Sequence, residues 1–179
     1  MKLFEKCISS KTVYEGIIVN VRRDIAELEN GKEVKREVVE HPGGVAVIPI
    51  DENNMVYCVR QFRYPMSEIT LEIPAGKLDA NELPFDCAVR ELSEETGLTA
   101  GKMINLGACY TSPGYSTEVL HIFLALELKK GESHPDEDEF LSVEKQQLGN
   151  LVDDIMCGKI SDAKTVIAVL KANEYLTER

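Results

Sequence analysis

The sequence predicts an α/β layered sandwich that is preceded by a small antiparallel β layer at the N-terminus. Residues 12–41 alternate between apolar and polar side chains, as strands do. A continuous apolar run at 45–50 is typical of a buried strand, and the next strand is expected at 55–62. Helical spacing of apolar residues appears at 84–96 and 163–175. Strands and helices are therefore mixed along the chain instead of strictly alternating, which favours a layered α/β fold.

The N-terminal layer is predicted to span residues 1–41. Asn30-Gly31 is a strong signal for a hairpin turn between two alternating runs. Residues 41–44, His-Pro-Gly-Gly, mark a break before the first buried strand. A hairpin layer of this size is too small to be stable alone and should pack on something. We therefore divide the chain into this layer and a main domain at 42–179.

The remaining elements follow in order. After the helix at 84–96, strands are expected at 103–111 and 119–128, joined by a Ser-Pro-Gly-Tyr-Ser-Thr loop. Two helices, at 145–156 and 163–175, are expected to close the chain.

Composition narrows the class of protein. With 179 residues the chain can bury a substantial core as one domain, and its formal charge of -11 argues against a nucleic-acid binder. The five cysteines show no zinc-ligand spacing and fit buried thiols in a reducing cytoplasm. No apolar run approaches membrane-spanning length, and the N-terminus lacks the layout of a signal peptide. We therefore expect a cytoplasmic protein without membrane or nucleic-acid partners.

The segment from Gly76 to Leu98, GKLDANELPFDCAVRELSEETGL, is the most informative one about function. Pro84 suits a first helical turn, and Gly97 suits the position just past a helix end. At about 100° per residue, one arc of the helix should face a core; it contains Phe85, Ala88, Val89, Leu92 and Thr96.

Three glutamates lie together on the other side of this helix: Glu91, Glu94 and Glu95. Like charges at this spacing destabilise a helix, so something must offset their repulsion. Arg90 is one candidate, and a bound hard cation such as Mg²⁺ or Mn²⁺ is the other. A solvated acidic face is the simpler reading of a Glu-rich helix. The glycines, the arginine and the full spacing favour a metal site instead.

The segment resembles the signature of the Nudix hydrolases, which cleave a nucleoside diphosphate linked to another moiety with the help of divalent metal. The match covers nine defined positions over twenty-three residues, so chance is an unlikely cause. The matching residues are Gly76, Glu82, Arg90, Glu91, Leu92, Glu94, Glu95, Gly97 and Leu98. The resemblance implies the Nudix sandwich, a mixed sheet between helices.

The resemblance also implies a set of metal ligands. Glu91 and Glu95 would hold the same ions from one helical turn apart, and Glu94 could serve an additional one. The backbone carbonyl of Ala75 would supply a further ligand. Two or three ions of Mg²⁺ or Mn²⁺ would then bridge the diphosphate and activate a water. Arg90 would orient the carboxylates.

Pro113, sixteen residues after Gly97, is placed as in the ADP-ribose pyrophosphatase branch of the family. Weaker motifs extend this resemblance from about residue 10 to residue 170; they are Gln61-Phe62-Arg63, Glu72 to Lys77, Asp136 to Phe140 and Asp162 to Thr165. This branch implies hydrolysis of ADP-ribose to AMP and ribose 5-phosphate.

Site roles outside the signature rest on the same resemblance. Arg63 would contact a phosphate or the ribose linking region. Glu118, which follows the loop that contains Pro113, would contact the terminal ribose or the metals. The catalytic base would come from the acidic loop that follows the Pro113 segment along the chain and contains Asp136 to Phe140. Glu139 is the best match for this base and Glu137 is the second. Candidates for contacting the base of the substrate are Arg22, Arg23 and Arg36. In this branch the N-terminal layer is often exchanged between subunits, so we expect a homodimer.

Alternatives remain within and beyond this class. The signature carries no information about the base, so GDP-mannose or UDP-glucose could be the substrate. A regulator that binds ADP-ribose without cleaving it is a second possibility, although such proteins usually have an eroded signature. An mRNA-decapping or nucleoside-triphosphate cleaning role is a third, and the acidic charge disfavours the RNA version.

Overall fold

The computed structural model describes residues 3–131 and 141–178 of the chain. By its internal contacts the chain divides into two compact units. The first comprises Met1–Gly43 with Tyr110–Val119, and the second comprises Gly44–Cys109 with Leu120–Arg179. No helix within the described ranges is both long and apolar enough to cross a membrane.

The first unit contains an antiparallel sheet of three strands: β1 (Lys6–Glu15), β2 (Asn20–Glu27) and β3 (Glu33–Glu40). The predicted turn at Asn30-Gly31 connects β2 to β3, and Gly31 takes a positive φ of 79° there. All ten residues of β1 are exposed. The loop at 111–118 belongs to the same unit, and Val39 donates a backbone hydrogen bond to the Tyr115 carbonyl, at 2.7 Å.

Within its described residues, 44–109, 120–131 and 141–178, the second unit contains two sheets and three helices. One sheet has the order β7–β4–β9–β8 and the other has the order β10–β5–β6. The strands are β4 (Gly44–Pro49), β5 (Met55–Arg63), β6 (Glu68–Glu72), β7 (Ala75–Lys77), β8 (Leu98–Tyr110), β9 (Val119–Lys130) and β10 (Leu141–Gln147). The helices are α1 (Pro84–Thr96), α2 (Leu148–Met156) and α3 (Ala163–Thr177). The parallel pair β4–β9 makes the first sheet mixed.

The core of this unit lies on both faces of β4, all of whose residues are buried. Val45 and Val47 pack in a cluster with residues of α1, whereas Ala46 and Ile48 pack in a cluster with residues of α2 and α3. Successive strand residues point to opposite faces, so β4 lies between helical layers. The predicted α/β sandwich with a mixed sheet and an N-terminal antiparallel layer is confirmed.

Two local expectations were wrong. Residues 145–147 belong to strand β10 and pair with β5, so the helix predicted at 145–156 begins only at Leu148. The cysteines were expected to be buried thiols, but only Cys58 and Cys87 are buried, while Cys7 and Cys157 are exposed. All five are free.

Candidate active site

Helix α1 presents two glutamates on its buried face. Pro84 stands in its first turn, and Gly97 ends it in the left-handed conformation at φ 67° and ψ 17°. Glu91 and Glu95 are only 8% and 4% exposed, and they share the buried face with Leu92. Burial of two carboxylates one turn apart is costly unless charged partners offset it. This face of the helix is therefore built for a positive ligand or partner.

The predicted core arc of this helix was partly wrong. Ala88 and Leu92 are buried, but Phe85 and Val89 are exposed by 51% and 43%. Phe85 instead makes an edge-to-face contact with the ring of Phe123, with centroids 6.3 Å apart. The carboxylate side thus takes part of the buried surface that apolar periodicity assigned to these two residues.

Strand β7 brings its backbone against the buried carboxylate of Glu91. A Cβ built on Gly76 would lie 1.8 Å from Glu91 Oε1, so a larger residue would displace the Glu91 carboxylate or the backbone. On the opposite side, a Cβ on Gly44 would lie 2.7 Å from the Gly76 carbonyl oxygen. Ala75, whose carbonyl is a predicted metal ligand, directly precedes Gly76 and pairs with Ala46 of β4. We call residues 73–77 the metal loop, after the ligand role that is predicted for the Ala75 carbonyl.

Arg90 is the centre of a group of ion pairs that we call the Arg90 cluster, formed with Glu82, Glu91 and Glu94. Its Nε and Nη2 donate to the two Glu82 oxygens, each at 2.9 Å. Its Nη1 donates to Glu91 Oε1 at 2.7 Å and to Glu94 Oε2 at 2.9 Å. Its Nη2 also reaches the Lys77 carbonyl at 3.2 Å. One guanidinium therefore serves three carboxylates and ties them to the metal loop, as expected for an orienting residue.

The charges of this cluster shift its pKa values. Hydrogen bonds from Arg90, followed by the backbone N–H of Asp79, lower the pKa of Glu82 to about 2. The Glu82 hydrogen bonds in turn raise the pKa of Arg90. Burial, helped by the nearby Glu82, raises the pKa of the Cys87 thiol to about 12. At neutral pH Glu82 is thus ionised, Arg90 is charged, and Cys87 is a neutral thiol.

The donor set of this site fits a hard divalent cation. Carboxylates outnumber the single guanidinium, and oxygen ligands are the ones that Mg²⁺ and Mn²⁺ prefer. The glycine backbone leaves room beside Glu91 where a side chain would clash. Within residues 3–131 and 141–178, the side chains as placed form no group of three or more His, Cys, Asp or Glu that could hold a metal ion. Arg90 occupies oxygens of Glu91 and Glu94 in this arrangement.

Arg63 lies at the end of β5, in a second group of ion pairs that we call the Glu72 cluster, with Glu72, Lys164 and Asp162. Arg63 grips the carboxylate of Glu72 with Nε at 2.7 Å and Nη2 at 2.6 Å. Lys164 Nζ contacts Glu72 and also Asp162 Oδ1 at 2.8 Å. The side chain of Arg63 is 40% exposed, whereas that of Glu72 is 1% exposed. The predicted phosphate ligand is therefore oriented by a buried carboxylate and keeps an open side.

Glu72 is ionised despite its burial. Desolvation raises its pKa, but the hydrogen bonds from Arg63 and the charge of Lys164 outweigh this, and the pKa falls to about 2. The Glu72 hydrogen bonds raise the pKa of Arg63, and the charge of Glu95 contributes in the same direction. Arg63 and Glu72 both line a cleft of about 630 Å³, together with Met66, Ile69 and Asp162.

The other predicted residues lie in the first unit. Arg36 Nε and Nη2 donate to the two oxygens of Glu5, at 2.9 and 2.7 Å. Glu118 accepts a hydrogen bond from Thr111 Oγ1 at 2.5 Å, and His41 Nδ1 lies 3.7 Å from its other oxygen. Pro113 is exposed in the turn that follows Ser112, whose carbonyl accepts from two later backbone N–H groups.

Glu137 and Glu139, the predicted bases, lie outside the described residues. Among the rest, the structure brings Glu91 and Glu94 together around Arg90, with Gly76 against Glu91. Sequence reasoning gave no role to Glu72, Asp162, Lys164 or Thr165, although it quoted their motifs. A signal was present in Asp162, since an aspartate three residues before a threonine at a helix start is typical of an N-cap.

The comparisons with known proteins decide the family. The model of the NUDIX domain matches residues 40–156, which is more than half of the chain. The chain belongs to the Nudix hydrolase family. A second model, the nucleoside diphosphate sugar hydrolase N-terminal domain, matches residues 5–39 of this Nudix protein. The predicted family is thus confirmed, and its members generally use divalent metals.

Three relatives of this Nudix protein cover nearly its whole length. ADP-ribose pyrophosphatase of Bacillus subtilis is 42% identical over 93% of this chain and 91% of its own. Methanol dehydrogenase activator of Bacillus methanolicus is 43% identical over 94% of this chain and 92% of its own. GDP-mannose pyrophosphatase of Cronobacter sakazakii is 32% identical over 93% of this chain and 94% of its own.

A solved structure supports the fold. The crystal structure of an ADP compounds hydrolase matches this Nudix chain with a TM-score of 0.87, covering 99% of this chain and 97% of that one. Its sequence identity of 23% shows a shared fold and no more than that.

Proposed function

We propose that this Nudix hydrolase cleaves the diphosphate of ADP-ribose into AMP and ribose 5-phosphate, with Mg²⁺ or Mn²⁺ as cofactor. The observation that carries the proposal is the Arg90 cluster, in which three carboxylates share one guanidinium beside a metal loop without side-chain bulk. The ADP-ribose pyrophosphatase of Bacillus subtilis, at 42% identity, supports the substrate.

The metal ligands in this proposal are Glu91, Glu95 and the carbonyl of Ala75, with Glu94 for an additional ion. Two or three ions, when bound, neutralise phosphate charge and lower the pKa of the attacking water. Arg90 holds Glu91 and Glu94 in place and fastens them to Lys77 of the metal loop.

Arg63 is proposed to donate to a diphosphate oxygen from its open side, because its other side is held by Glu72. Glu139, or else Glu137, is proposed to take the proton of the attacking water. The oxygen of that water bonds to phosphorus as the bridging P–O bond breaks. Glu118, Pro113 and Arg36 are proposed to contact the ribose and base parts of the substrate, on the family resemblance.

The test is product analysis. The purified protein is incubated with ADP-ribose and Mg²⁺ in ¹⁸O-labelled water, and the products are identified by mass spectrometry. We expect AMP and ribose 5-phosphate, and the label on one of them reports which phosphorus is attacked. Chelation with EDTA should abolish turnover, and added Mg²⁺ should restore it. Absence of both products under these conditions would reject the proposal.

GDP-mannose and UDP-glucose are the alternative substrates. The GDP-mannose pyrophosphatase of Cronobacter sakazakii, at 32% identity, supports the first of them. Measurement of kcat/KM for the three sugars side by side distinguishes the alternatives. If ADP-ribose is turned over no better than the other two, the narrower substrate assignment fails.

Activation of a dehydrogenase is a second candidate function, since the Bacillus methanolicus relative at 43% identity is a methanol dehydrogenase activator. The measurement is the rate of a methanol dehydrogenase with and without this protein. An unchanged rate removes this candidate and leaves the hydrolase proposal intact.

A regulator that binds ADP-ribose without cleavage is disfavoured by the complete set of signature glutamates. Glu95→Gln separates the two cases. An enzyme should lose turnover by a factor of roughly 10²–10³, since one preorganised charge is removed from the reacting centre. A pure sensor has no turnover to lose and shows none in the wild type.

We also propose a homodimer that forms through the N-terminal layer, in a cytoplasmic protein. Every residue of β1 is exposed, Ile8 and Val13 among them, and so are Ile17 and Ile18. A three-stranded layer with this much exposed apolar surface gains stability from a partner. The five cysteines, none of which forms a disulfide, fit a reducing compartment. Light scattering after size exclusion should give the mass of two chains, and a clean monomer would reject the dimer.

A further inference from the structure

The first turn of α3 contacts the strand that leads into the metal loop. The family model ends at residue 156, whereas α3 begins at Ala163, so the α3 side of this contact lies outside the matched Nudix domain. Asp162 caps the helix by accepting from the backbone N–H of Thr165 at 3.0 Å. Its side chain therefore holds the residue that touches the metal loop.

Thr165 makes that contact with its hydroxyl. It is fully buried, and its Oγ1 accepts the backbone N–H of Ile73 at 3.0 Å while donating to Asp162 Oδ2 at 2.5 Å. A group that accepts and donates at the same time must be a hydroxyl here, since a methyl can do neither. Without it, the buried Ile73 N–H would lose this acceptor.

Lys164 holds the residue before Ile73. Its Nζ contacts the carboxylate of Glu72 and donates to Asp162 Oδ1 at 2.8 Å, and its side chain is 14% exposed. Glu72 also accepts both arms of Arg63. Two cations thus share one buried carboxylate. Removal of Lys164 would leave Arg63 alone to balance the charge of Glu72 and would draw it further into that pair.

Two consecutive residues are therefore fastened to the start of α3: Glu72 at the end of β6 and Ile73 at the start of the metal loop. Ala75 and Gly76 follow within three residues of Ile73, and Pro74 restricts the backbone between Ile73 and Ala75. Because only Pro74 separates Ile73 from Ala75, a shift at Ile73 also displaces the Ala75 carbonyl. A misplacement of about 1 Å at a reacting centre can cost roughly a hundredfold in rate.

We propose that Asp162, Lys164 and Thr165 form a clamp, the α3 clamp, whose members are positioning residues for hydrolysis. Thr165 fixes the backbone from which the Ala75 carbonyl and Gly76 are presented to the metals. Lys164 shares Glu72 with Arg63, so that Arg63 keeps its open side towards the diphosphate. The inference rests on the proposed function, and it adds residues that lie beyond the family's matched domain.

The experiment compares Thr165→Val with Thr165→Ser in the full chain. Valine keeps the shape and removes the hydroxyl, whereas serine keeps the hydroxyl and removes a methyl. We expect Thr165→Val to lose about ten- to a hundredfold in kcat with ADP-ribose and Mg²⁺. Thr165→Ser should stay within about threefold of the wild type. Thr177→Val, the same change at the far end of α3, is the matched control and should be unchanged.

Lys164 is tested by a split between kinetic constants. Lys164→Met should raise KM by about tenfold, because Arg63 is drawn towards Glu72 and its hydrogen bond to the phosphate is weakened but not lost. Lys164→Arg keeps the charge and should recover most of the loss. A KM unchanged in Lys164→Met would overturn the part of the clamp that concerns Arg63.

Two readouts do not depend on turnover. Exchange of the Ile73 amide hydrogen should speed up about tenfold in Thr165→Val and not in Thr165→Ser. Mn²⁺ affinity, measured by electron paramagnetic resonance, should fall in the valine variant only. If serine and valine lose kcat or Mn²⁺ affinity equally, Thr165 acts through packing alone and the clamp is rejected.

These measurements separate the clamp from the proposed function. A wild type that hydrolyses none of the three sugars rejects the proposed function, and the clamp is then decided by amide exchange and Mn²⁺ affinity. An active wild type with a valine variant within twofold of its kcat rejects the clamp and leaves the proposed function in place.

Discussion

The Arg90 cluster and the Glu72 cluster combine cations and carboxylates in different proportions. In the first, one guanidinium serves the three carboxylates of Glu82, Glu91 and Glu94. In the second, one buried carboxylate serves two cations, Arg63 and Lys164, and Asp162 completes the balance. The first cluster has surplus negative charge, and the second is neutral as a set.

This difference in charge balance separates two tasks within one unit of the protein. A cluster with surplus carboxylates is stabilised by added cations, so it suits a metal platform. A balanced cluster needs no ligand to be stable and suits a frame that orients Arg63 and the metal loop. An Arg–Glu pair by itself therefore says little about function. The count of charges around the pair is more informative.

The largest expected effect comes from a change in the surplus negative charge of the Arg90 cluster. Glu91→Gln removes one carboxylate from the Arg90 cluster while keeping its size, so metal affinity should fall and kcat should drop by roughly 10²–10³-fold. Turnover is measured over a range of Mg²⁺ concentrations. Asp86→Asn, at an exposed position on the same helix, is the control and should keep wild-type turnover. A Glu91→Gln variant with normal turnover would show that the surplus charge is not used for metal.

The second largest effect is expected from a change in the space between Gly76 and the Glu91 carboxylate of the Arg90 cluster. Gly76→Ala places a Cβ 1.8 Å from Glu91 Oε1, so the carboxylate or the loop must move. We expect a loss of about a hundredfold in kcat, as for a misplacement of about 1 Å. In Gly149→Ala, a Cβ meets nothing within 4 Å in helix α2, and that variant should gain roughly 0.5–1 kcal/mol in the free energy of unfolding. Equal kcat values for both variants would contradict the tight fit.

The third largest effect is expected from a change in the Glu72 cluster that keeps its charge. Arg63→Lys loses the two-armed grip on Glu72, so the cation no longer points one way. We expect KM for ADP-ribose to rise about tenfold with a smaller change in kcat. Arg60→Lys loses the similar grip on Glu144, at 2.6 and 3.1 Å, on the same strand and serves as control. Equal KM values for both variants would remove Arg63 from the substrate site.

The smallest effect is on stability against acid. The pKa of Glu72 falls from the ordinary 4.5 to about 2 on folding, so its ionised form stabilises the fold above pH 4.5. This stabilisation is lost as the pH falls from 4.5 towards 2. At pH 7, Glu72→Gln should therefore unfold more easily than the wild type, and the difference should shrink across that window. Urea unfolding at several pH values measures it, with Glu174→Gln on the exposed face of α3 as control. A difference independent of pH would contradict the shift.

Much of the fold was predictable because local signals and tertiary structure agree. The Asn30-Gly31 turn, the buried strand at 45–50 and the end of α1 at Gly97 all follow from backbone chemistry within a few residues. The start of α2 was not predictable in this way. Residues 145–147 pair with β5, ninety residues earlier in the chain, and this partner overrides their helical pattern.

The site was predictable in its residue types and less so in its burial. Periodicity assigns apolar side chains to the core, so it placed Phe85 and Val89 inside and Glu91 outside. The burial of Glu91 depends on Arg90 and on the bare backbone at Gly76, which pattern alone does not weigh. Lys164 and Thr165 were missed because their roles arise from contact with Glu72 and Ile73, ninety-two residues away in sequence.

The pair of glycines at the metal loop has a consequence for the choice of ion. Gly76 lies between Glu91 on one side and the backbone of Gly44 on the other, and neither side has room for a methyl group. Ca²⁺ is larger than Mg²⁺ and takes more ligands, so a site with this little space disfavours it. We therefore propose that this loop favours the smaller ion. We expect Ca²⁺ to support little hydrolysis, and equal rates with both ions would show that the site accepts the larger one.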